Sequence, residues 1–597
     1  MAHIDRDYAR SLTLCRGLTL DDILNTLDDD DDETLPNSQE IDIILQPPTN
    51  ACQDLTDEDS GDEDLMTIGN LPGTQLMAEA ELFGITQEDK EEEIGNEIDE
   101  DDLPLRSLQV AIKKNYLWEK RDLEPRHFEW PTYIDVKTNF SPTELFFQFF
   151  DNNVIDMFVK YSNLYASKKN VLNSTITEAE MKAFFGILIL SGYVQLPRRR
   201  MFWENSKDTH NEVVSSAMSR DRFEFIMSNL HCCDNSKLSQ QDRFAKVRPL
   251  FEAINRNFQL FCPVRAAHSV DESMVPYFGR HGCKQFIKGK PIRYGFKIWM
   301  GAISSSDCAG YCVWLEPYQG SNTQIPTMYK LFGLGPSVVL HYSTVLRQML
   351  SLPYHIFFDN FFTTVPLLEE LLRHNIRGTG TVRENRMSKC TVQSKTDMKK
   401  TTGGTYDYGS TENKVLIVKW NDNNIVNVAT NNLQVHPIHH VSRLQKRKKI
   451  TVDQPQCIKA YNAFMGGVDR CDENISYYRT SIRGKKWYSC LIFYLLDLSI
   501  QNSWHLHRLQ GGSMDQLTFR RQIAMTLLET NRVSRKRGRP SCLENAESRF
   551  MNTNEHYLVR QDKPTRCRVC HKPVQKKCYK CDVALHMDCF VPYHTKN

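Results

Sequence analysis

Three aspartates, each inside an apolar or ordered stretch, are the residues of this chain best suited to metal chemistry. They are Asp271 in the segment HSVDE, Asp359 in the segment HIFFDN and Asp469 in the segment GGVDR. The apolar run at residues 356–358 predicts a strand buried on both faces of a sheet. A carboxylate at the end of such a strand is costly unless a cation, a metal or a proton compensates its charge.

Asp469 begins a stretch that is predicted to be helical, because it follows a Gly-Gly pair and precedes helix-compatible residues. This prediction places Asp472, three residues later, on the same helical face. Two carboxylates at strand ends and one helical pair can converge on hard divalent cations such as Mg²⁺, which prefers oxygen ligands. Each aspartate also has a simpler explanation as a helix cap, a salt-bridge partner or a turn residue, and spacing alone does not decide between them.

The segments around these aspartates resemble the piggyBac-type DDE/D DNA transposases and the host proteins derived from them. The matching motifs are DESMVPYFGR at residues 271–280, FDNFFTT at 358–364 and YNAFMGGVDRCD at 461–472. A further match is PRRRMFW at residues 197–203. The resemblance extends, in the order typical of the family, from about residue 130 to the C-terminus.

The resemblance implies cut-and-paste transposition with two catalytic Mg²⁺ ions. Asp271, Asp359 and Asp469 would be the ligands, and Asp472 a supporting fourth carboxylate. It also implies hairpin intermediates, insertion at TTAA, binding to double-stranded terminal repeats, a homodimer and a nuclear location. The alternative is a domesticated protein that kept the fold and DNA binding but lost transposition and acts on chromatin or transcription. A third hypothesis is a scaffold whose C-terminal module binds chromatin peptides.

The last 31 residues contain five of the 18 cysteines. Their spacing with histidine predicts a cross-brace zinc fold similar to the PHD and RING class. Disulfides are the alternative, which the two-residue spacing and a reduced compartment disfavour. One structural Zn²⁺ is assigned to Cys567, Cys570, His586 and Cys589, and a second to Cys578, Cys581 and His594, with His571 as candidate fourth ligand.

The charge of the chain is strongly divided along its length. Lys and Arg total 74, as do Asp and Glu, but residues 1–102 contain 31 acidic and only four basic residues. A segment so charged is predicted to be disordered, whereas the basic remainder indicates a polyanion-binding protein. We expect no membrane association, because the N-terminus lacks a signal-peptide pattern and the apolar runs are too short to span a bilayer.

Basic residues in four places are candidates for DNA contacts. Several alternate with aromatic residues, a pattern suited to phosphates and bases, although a solvated arginine run or a lysine-protected strand edge would look similar. The last two candidates belong to an AT-hook-like RGRP core. The set comprises Arg198, Arg199, Arg200, Arg280, Lys284, Lys288, Lys290, Arg293, Lys297, Arg483, Lys485, Lys486, Arg537 and Arg539.

The predicted fold is multidomain α+β, with an RNase H-like core of mixed sheet and flanking helices inside a split helical DNA-binding and dimerisation domain. Helix starts are predicted at Ser141 and Thr175. The predicted segments are an acidic disordered tail (1–103), a helical domain (118–267 and 478–530), the RNase H-like core (268–384 and 455–477), a β-rich insertion (385–454), a basic linker (531–559) and a zinc-binding domain (560–597).

Overall fold

The computed structural model describes residues 18–19, 41–45, 79–84, 115–131, 133, 139–169, 175–287, 290–320, 322–412, 414–422, 424–445, 448–530 and 556–595. The chain divides into two compact units, Met1–Arg532 and Val533–Asn597, which are described separately. Among these residues, no helix is both long and apolar enough to traverse a bilayer. Lys288, Arg537 and Arg539 lie outside the described residues, as does most of the acidic segment.

Three short strands lie within the segment that was predicted to be disordered. They are β1 (Leu18–Thr19), β2 (Ile41–Leu45) and β3 (Glu79–Gly84), and β3 pairs antiparallel with both of the others. Local runs such as IDIIL favour strand pairing even where the charge of the whole segment opposes burial.

Six helices between residues 142 and 260 contribute to one continuous apolar core. Reciprocal caps start two of them, with Ser141 bonded to Glu144 and Thr177 bonded to Glu180. The second start lies two residues after the predicted one at Thr175. Glu178 lies three residues after Thr175, but the structure forms the reciprocal cap between Thr177 and Glu180. The helices are α1 (Pro142–Phe149), α2 (Asn152–Lys168), α3 (Glu178–Ser191), α4 (Glu212–Ala217), α5 (Arg220–Asn229) and α6 (Arg248–Leu260).

A ten-stranded mixed sheet forms the centre of the first unit. Five of its strands follow the order β8-β7-β5-β9-β10, in which β5 is antiparallel to β7 and parallel to β9, and β9 is parallel to β10. The elements are β4 (Trp118–Glu119), β5 (Ala267–Pro276), β6 (Lys284–Phe286), β7 (Tyr294–Ile303), β8 (Cys312–Pro317), α7 (Leu334–Met349), β9 (His355–Phe358), α8 (Val365–Arg373) and β10 (Arg377–Thr381).

The β-rich stretch between the second and third aspartates extends this same sheet. Its strand β13 pairs antiparallel with β10, and its strand β11 pairs with β4 at the outer edge. A separate two-stranded hairpin follows. The elements are α9 (Lys395–Met398), β11 (Tyr406–Thr411), β12 (Val415–Asn421), β13 (Ile425–Thr430), β14 (His439–Gln445) and β15 (Lys448–Gln454).

Four helices end the first unit, and the last two pack against the first helical segment. The Arg520 guanidinium pairs with the buried Asp497 carboxylate at 2.7 Å and donates to the Ile189 carbonyl at 3.0 Å. These contacts join the late helices to α3, so helical segments distant in sequence form one layer. The helices are α10 (Gln456–Phe464), α11 (Gly467–Tyr477), α12 (Ser489–Leu509) and α13 (Gln516–Thr530).

The second unit is a small module built from β16 (Leu558–Arg566), β17 (Pro573–Cys578) and α14 (Met587–Thr595). The two strands pair antiparallel. Its buried core consists of three cysteines together with Val583 and Leu585. So small an apolar core rarely stabilises a fold without metal ions or disulfides.

Candidate metal centres

Asp271 and Asp359 lie side by side on neighbouring parallel strands. Val270 of β5 is in register with Phe358 of β9, and each aspartate is the next residue along its strand. Neighbouring strands are about 4.8 Å apart, so the two carboxylates start from adjacent backbone positions. Asp271 is buried, with 8% of its surface exposed, whereas Asp359 is half-buried.

Each of these two carboxylates has one oxygen held by the backbone. The Glu272 N–H donates to Oδ1 of Asp271 at 2.8 Å, and the Phe361 N–H donates to Oδ1 of Asp359 at 2.8 Å. A carboxylate fixed through one oxygen can present the other to an ion in a defined direction. The backbone therefore orients the two side chains as ligands require.

Helix α11 brings the remaining aspartates to the same strand. A side chain at Gly467 would lie 2.5 Å from the Ser269 hydroxyl, so the helix start contacts β5 very closely. One turn further, the Ser273 hydroxyl donates to Oδ1 of Asp472 at 2.6 Å. Asp469 lies between these two contacts along α11 and is exposed.

The carboxylates raise one another's pKa. Burial, Glu272 and Asp359 hold the pKa of Asp271 well above its usual value, and burial and Glu272 raise the pKa of Asp359. Burial raises the pKa of Asp472 to about 6. Such a group of crowded oxygens fits a divalent cation, since bound positive charge offsets the repulsion and Mg²⁺ prefers this donor type.

The charges of all three predicted ligands act on the phenol of Tyr461 in α10. Burial, and after it the charges of Asp359, Asp271 and Asp469, raise the pKa of its phenol to about 12. The three carboxylate groups do not, however, all have oxygens within 4.8 Å of one another, unlike the two cysteine and histidine groups described below. Binding of one ion by all three would require their side chains to rotate inward.

The close contact at Gly467 gives a direct test of the α11 position. We expect Gly467→Ala to lower the free energy of unfolding by about 1–3 kcal/mol and to weaken Mn²⁺ binding, because the new methyl group would push the Asp469 helix away from β5. Chemical denaturation and calorimetry measure both effects. Gly466→Ala is the matched control, since nothing lies within 4 Å of a side chain there. Equal behaviour of the two variants would contradict the packing.

The predicted DNA contacts divide into exposed and internal groups. Arg199 is largely internal, because its guanidinium pairs with Glu224 at 3.0 Å and donates to the Arg483 carbonyl at 2.9 Å. Lys486 donates to the Ser228 carbonyl at 2.6 Å. Arg200 is exposed but pairs with Glu224 at 3.5 Å, and Lys284 is half-buried. Fully surface-exposed candidates are Arg198, Arg280, Arg293, Arg483 and Lys485.

Lys290 and Lys297 both pair with Glu272, the residue that follows Asp271. Their ammonium groups lie 3.6 and 4.0 Å from the carboxylate oxygens of Glu272. Glu272 and Ser273 were not predicted as site residues, although both belong to the strand that carries Asp271. An unbroken run of polar residues in an otherwise buried strand is the sequence signal that could have identified them.

Two groups of cysteine and histidine in the second unit have the geometry of metal sites. The ligand atoms of the first, Cys567, Cys570, His586 and Cys589, all lie within 4.8 Å of one another. Cys570 Sγ is 3.3 Å from Nδ1 of His586. Although burial opposes ionisation, backbone N–H groups lower the pKa of Cys567 to about 6, which favours the thiolate that binds metal. These are the same four residues that the sequence analysis assigned to one Zn²⁺.

The second group contains His556 in place of the predicted His571. Nδ1 of His556 lies 3.5 Å from Cys578 Sγ and 3.3 Å from Cys581 Sγ, and Nε2 of His594 lies 3.5 Å from Cys581 Sγ. His571 instead occupies a left-handed turn with φ of 60° and belongs to neither group. The assignment of His571 to the second ion is wrong. Its proximity in sequence to Cys570 does not determine which group of ligands its side chain faces.

Comparison with known proteins identifies the family of this chain. The family model described as "Transposase IS4" matches residues 141–504. PiggyBac transposable element-derived protein 3 of Homo sapiens is 42% identical over 605 residues, covering 97% of this chain and 100% of that protein. PiggyBac transposable element-derived protein 2 of Homo sapiens is 41% identical over 568 residues, covering 93% of each chain.

Two further similarities concern a fusion protein and a solved structure. A chimeric ERCC6-PGBD3 protein of Homo sapiens is 42% identical over 619 residues, and this chain spans 57% of its length. The cryo-EM structure of a piggyBac transposase synaptic complex with hairpin DNA has a TM-score of 0.56 at 21% identity, covering 76% of this chain and 98% of that one. The shared fold and the near full-length matches show that this chain belongs to the piggyBac-type transposase family.

Proposed function

We propose that this protein is a DNA transposase that cleaves and transfers DNA strands with two Mg²⁺ ions bound by Asp271, Asp359 and Asp469. The observation that carries this proposal is the register of β5 and β9, which puts two aspartates at adjacent positions with the Asp469 helix packed against them. The strand order β8-β7-β5-β9-β10 also supports an RNase H-like core.

Bound divalent ions would activate a water or a DNA 3′-OH and stabilise the leaving oxygen of an in-line displacement. The chain's own residues position the ligands. Backbone N–H groups at Glu272 and Phe361 orient two carboxylates, and the Ser273 hydroxyl holds Asp472. Because α11 contacts β5 closely, the backbone at Asp469 is held near the strand that carries Asp271.

The remaining partners follow from the family. We infer that the substrate is double-stranded DNA with terminal repeats, that the target is TTAA and that a homodimer in the nucleus holds both ends. Support comes from the basic character of the chain beyond residue 102 and from the hairpin DNA in the solved relative. Arg280 and Arg293 are exposed on the segments that flank β6, and β7 separates β6 from the strand that carries Asp271.

We also propose that the two cysteine and histidine groups bind structural Zn²⁺. All eight ligands are of the type that zinc prefers, and four per group close the tetrahedral shell without an open catalytic position. Nδ1 of His594 hydrogen-bonds to the Phe590 carbonyl at 2.8 Å, which leaves Nε2 toward the group.

An excision assay tests the main proposal. Cells expressing the full chain would receive a donor plasmid whose marker gene is interrupted by element ends bracketed by TTAA. We expect seamless restoration of the marker by the wild-type chain and none by Asp359→Asn. Absence of both excision and Mn²⁺-dependent nicking of the donor DNA by the purified wild-type chain would refute transposase activity.

A domesticated DNA-binding protein without transposition is the second candidate. It is favoured by the matches over almost the whole chain to two human proteins named as transposable element-derived. It predicts the same genomic occupancy for wild type and Asp359→Asn, with no excision by either. Binding of histone-tail peptides by the second unit, without binding of DNA by the first, would instead favour the chromatin-scaffold hypothesis.

A further inference from the structure

Two lysines share one carboxylate beside the aspartates. The ammonium of Lys290 lies 3.6 Å from Oε1 of Glu272, and that of Lys297 lies 4.0 Å from Oε2. Glu272 directly follows Asp271 on β5. Both ammonium groups therefore pair with the residue next to a predicted metal ligand, and the charges of Asp271 and Glu272 both act on them.

Lys297 is fixed by its surroundings. Its ammonium packs over three aromatic rings, at 4.2 Å from the centroid of Trp299, 5.1 Å from Phe361 and 5.9 Å from Tyr318. The Trp299 and Phe361 rings are themselves stacked at 5.6 Å. Phe361 lies two residues after Asp359, so the rings and the second aspartate belong to one rigid arrangement. Attraction to the ring faces holds this cation in place.

Among the residues that the structure describes, Lys290 pairs with Glu272 through its terminal ammonium and, unlike Lys297, does not pack over aromatic rings. It lies in the connection between β6 and β7, on a flexible four-carbon side chain. Burial opposes its charge, yet Asp271, Glu272, Asp469 and Asp472 together raise its pKa above the usual value. Its ammonium is therefore in the electrostatic field of the carboxylates that Mg²⁺ would occupy.

We propose that the Lys290 ammonium competes with divalent cations for the aspartate cluster and is displaced when they bind. This inference rests on the proposed function, because the competition requires the metal ligands named there. A divalent ion at the aspartates and the Lys290 ammonium on the neighbouring Glu272 would repel each other across a partly buried site, which opposes their simultaneous binding. Lys297 cannot leave its aromatic surroundings as readily, which makes Lys290 the exchangeable cation.

Calorimetric titration of the DNA-free, zinc-loaded full chain with Mn²⁺ tests this competition. We expect Lys290→Met to bind Mn²⁺ at least about tenfold more tightly than wild type, because the competing charge is gone. Lys290→Arg keeps the charge and should bind like wild type. Lys284→Met is the matched control on the same hairpin, since burial alone lowers the pKa of Lys284 and its loss should leave the affinity unchanged.

The outcomes separate this inference from the proposed function. If Lys290→Met binds Mn²⁺ with wild-type or weaker affinity, Lys290 does not compete with the metal. That result would leave the proposed metal site itself intact. The Asp359→Asn variant shows whether the measured heat comes from Mn²⁺ binding at the aspartates. We expect this variant to lose most of that heat. Lack of Mn²⁺ binding in every chain, wild type included, overturns the metal site itself and the competition with it. Thermal unfolding with and without Mn²⁺ checks that each variant is folded.

Discussion

Asp359→Asn is expected to reduce metal-dependent cleavage of DNA by at least about a thousandfold while leaving the fold unchanged. Asparagine has nearly the same shape as aspartate and can still accept the hydrogen bond that the Phe361 N–H donates at 2.8 Å. It lacks the negative charge that a divalent ion requires. Single-turnover cleavage of labelled DNA in Mn²⁺, together with thermal unfolding, measures both properties.

Asp307→Asn is the matched control for that substitution. Asp307 is also an aspartate next to a sheet strand, but it pairs with Arg265 at 2.6 Å in the connection between β7 and β8. An exposed ion pair contributes at most about 1 kcal/mol, so this variant should cleave DNA within about twofold of wild type. Equal loss in both variants would show that Asp359 acts through the general charge of the surface and not as a ligand.

Removal of zinc is expected to unfold the second unit while the first stays folded. The buried core of the second unit consists of three cysteines with Val583 and Leu585. A structural Zn²⁺ contributes on the order of 10 kcal/mol to the folding free energy of such modules. Chelation should therefore make residues 556–595 sensitive to proteases and leave the helical and sheet elements resistant. Limited proteolysis with mass spectrometry detects the difference, and a protease-resistant second unit after complete zinc removal would contradict it.

Substitution of single histidines distinguishes the ligand sets. We expect two zinc ions per chain in wild type and in His571→Ala, and about one in His556→Ala, because His556 and not His571 belongs to the second group. Elemental analysis of the purified chains gives the stoichiometry. One zinc ion in His571→Ala and two in His556→Ala would restore the assignment made from sequence spacing.

The sequence predicted individual strands and helices well where a short run of adjacent residues determines the local conformation. The strand before Asp359 and the helix after Gly466 are confirmed at β9 and α11. Each is encoded by adjacent residues, such as the apolar run at 356–358 or the glycine pair. The resemblance to the piggyBac family is confirmed as well.

Features that depend on distant partners could not be predicted in the same way. His556 lies 11 residues before the first cysteine of the module, and only the folded strands bring it to Cys581. The contacts of Lys290 and Lys297 with Glu272 depend on the pairing of β5 with β7. From the sequence, the lysines of a basic segment are expected to point to the surface, whereas these two point to Glu272. The antiparallel pairing of β13 with β10 likewise joins segments that no local pattern connects.

Diffraction from Mn²⁺-soaked crystals at the manganese absorption edge is the most direct test of the central claim. The account predicts two anomalous peaks about 4 Å apart, both within coordination distance of the Asp271 and Asp359 carboxylates, with Asp469 rotated inward to complete the site. Manganese bound elsewhere, or no manganese at these aspartates in a well-ordered crystal, would contradict it.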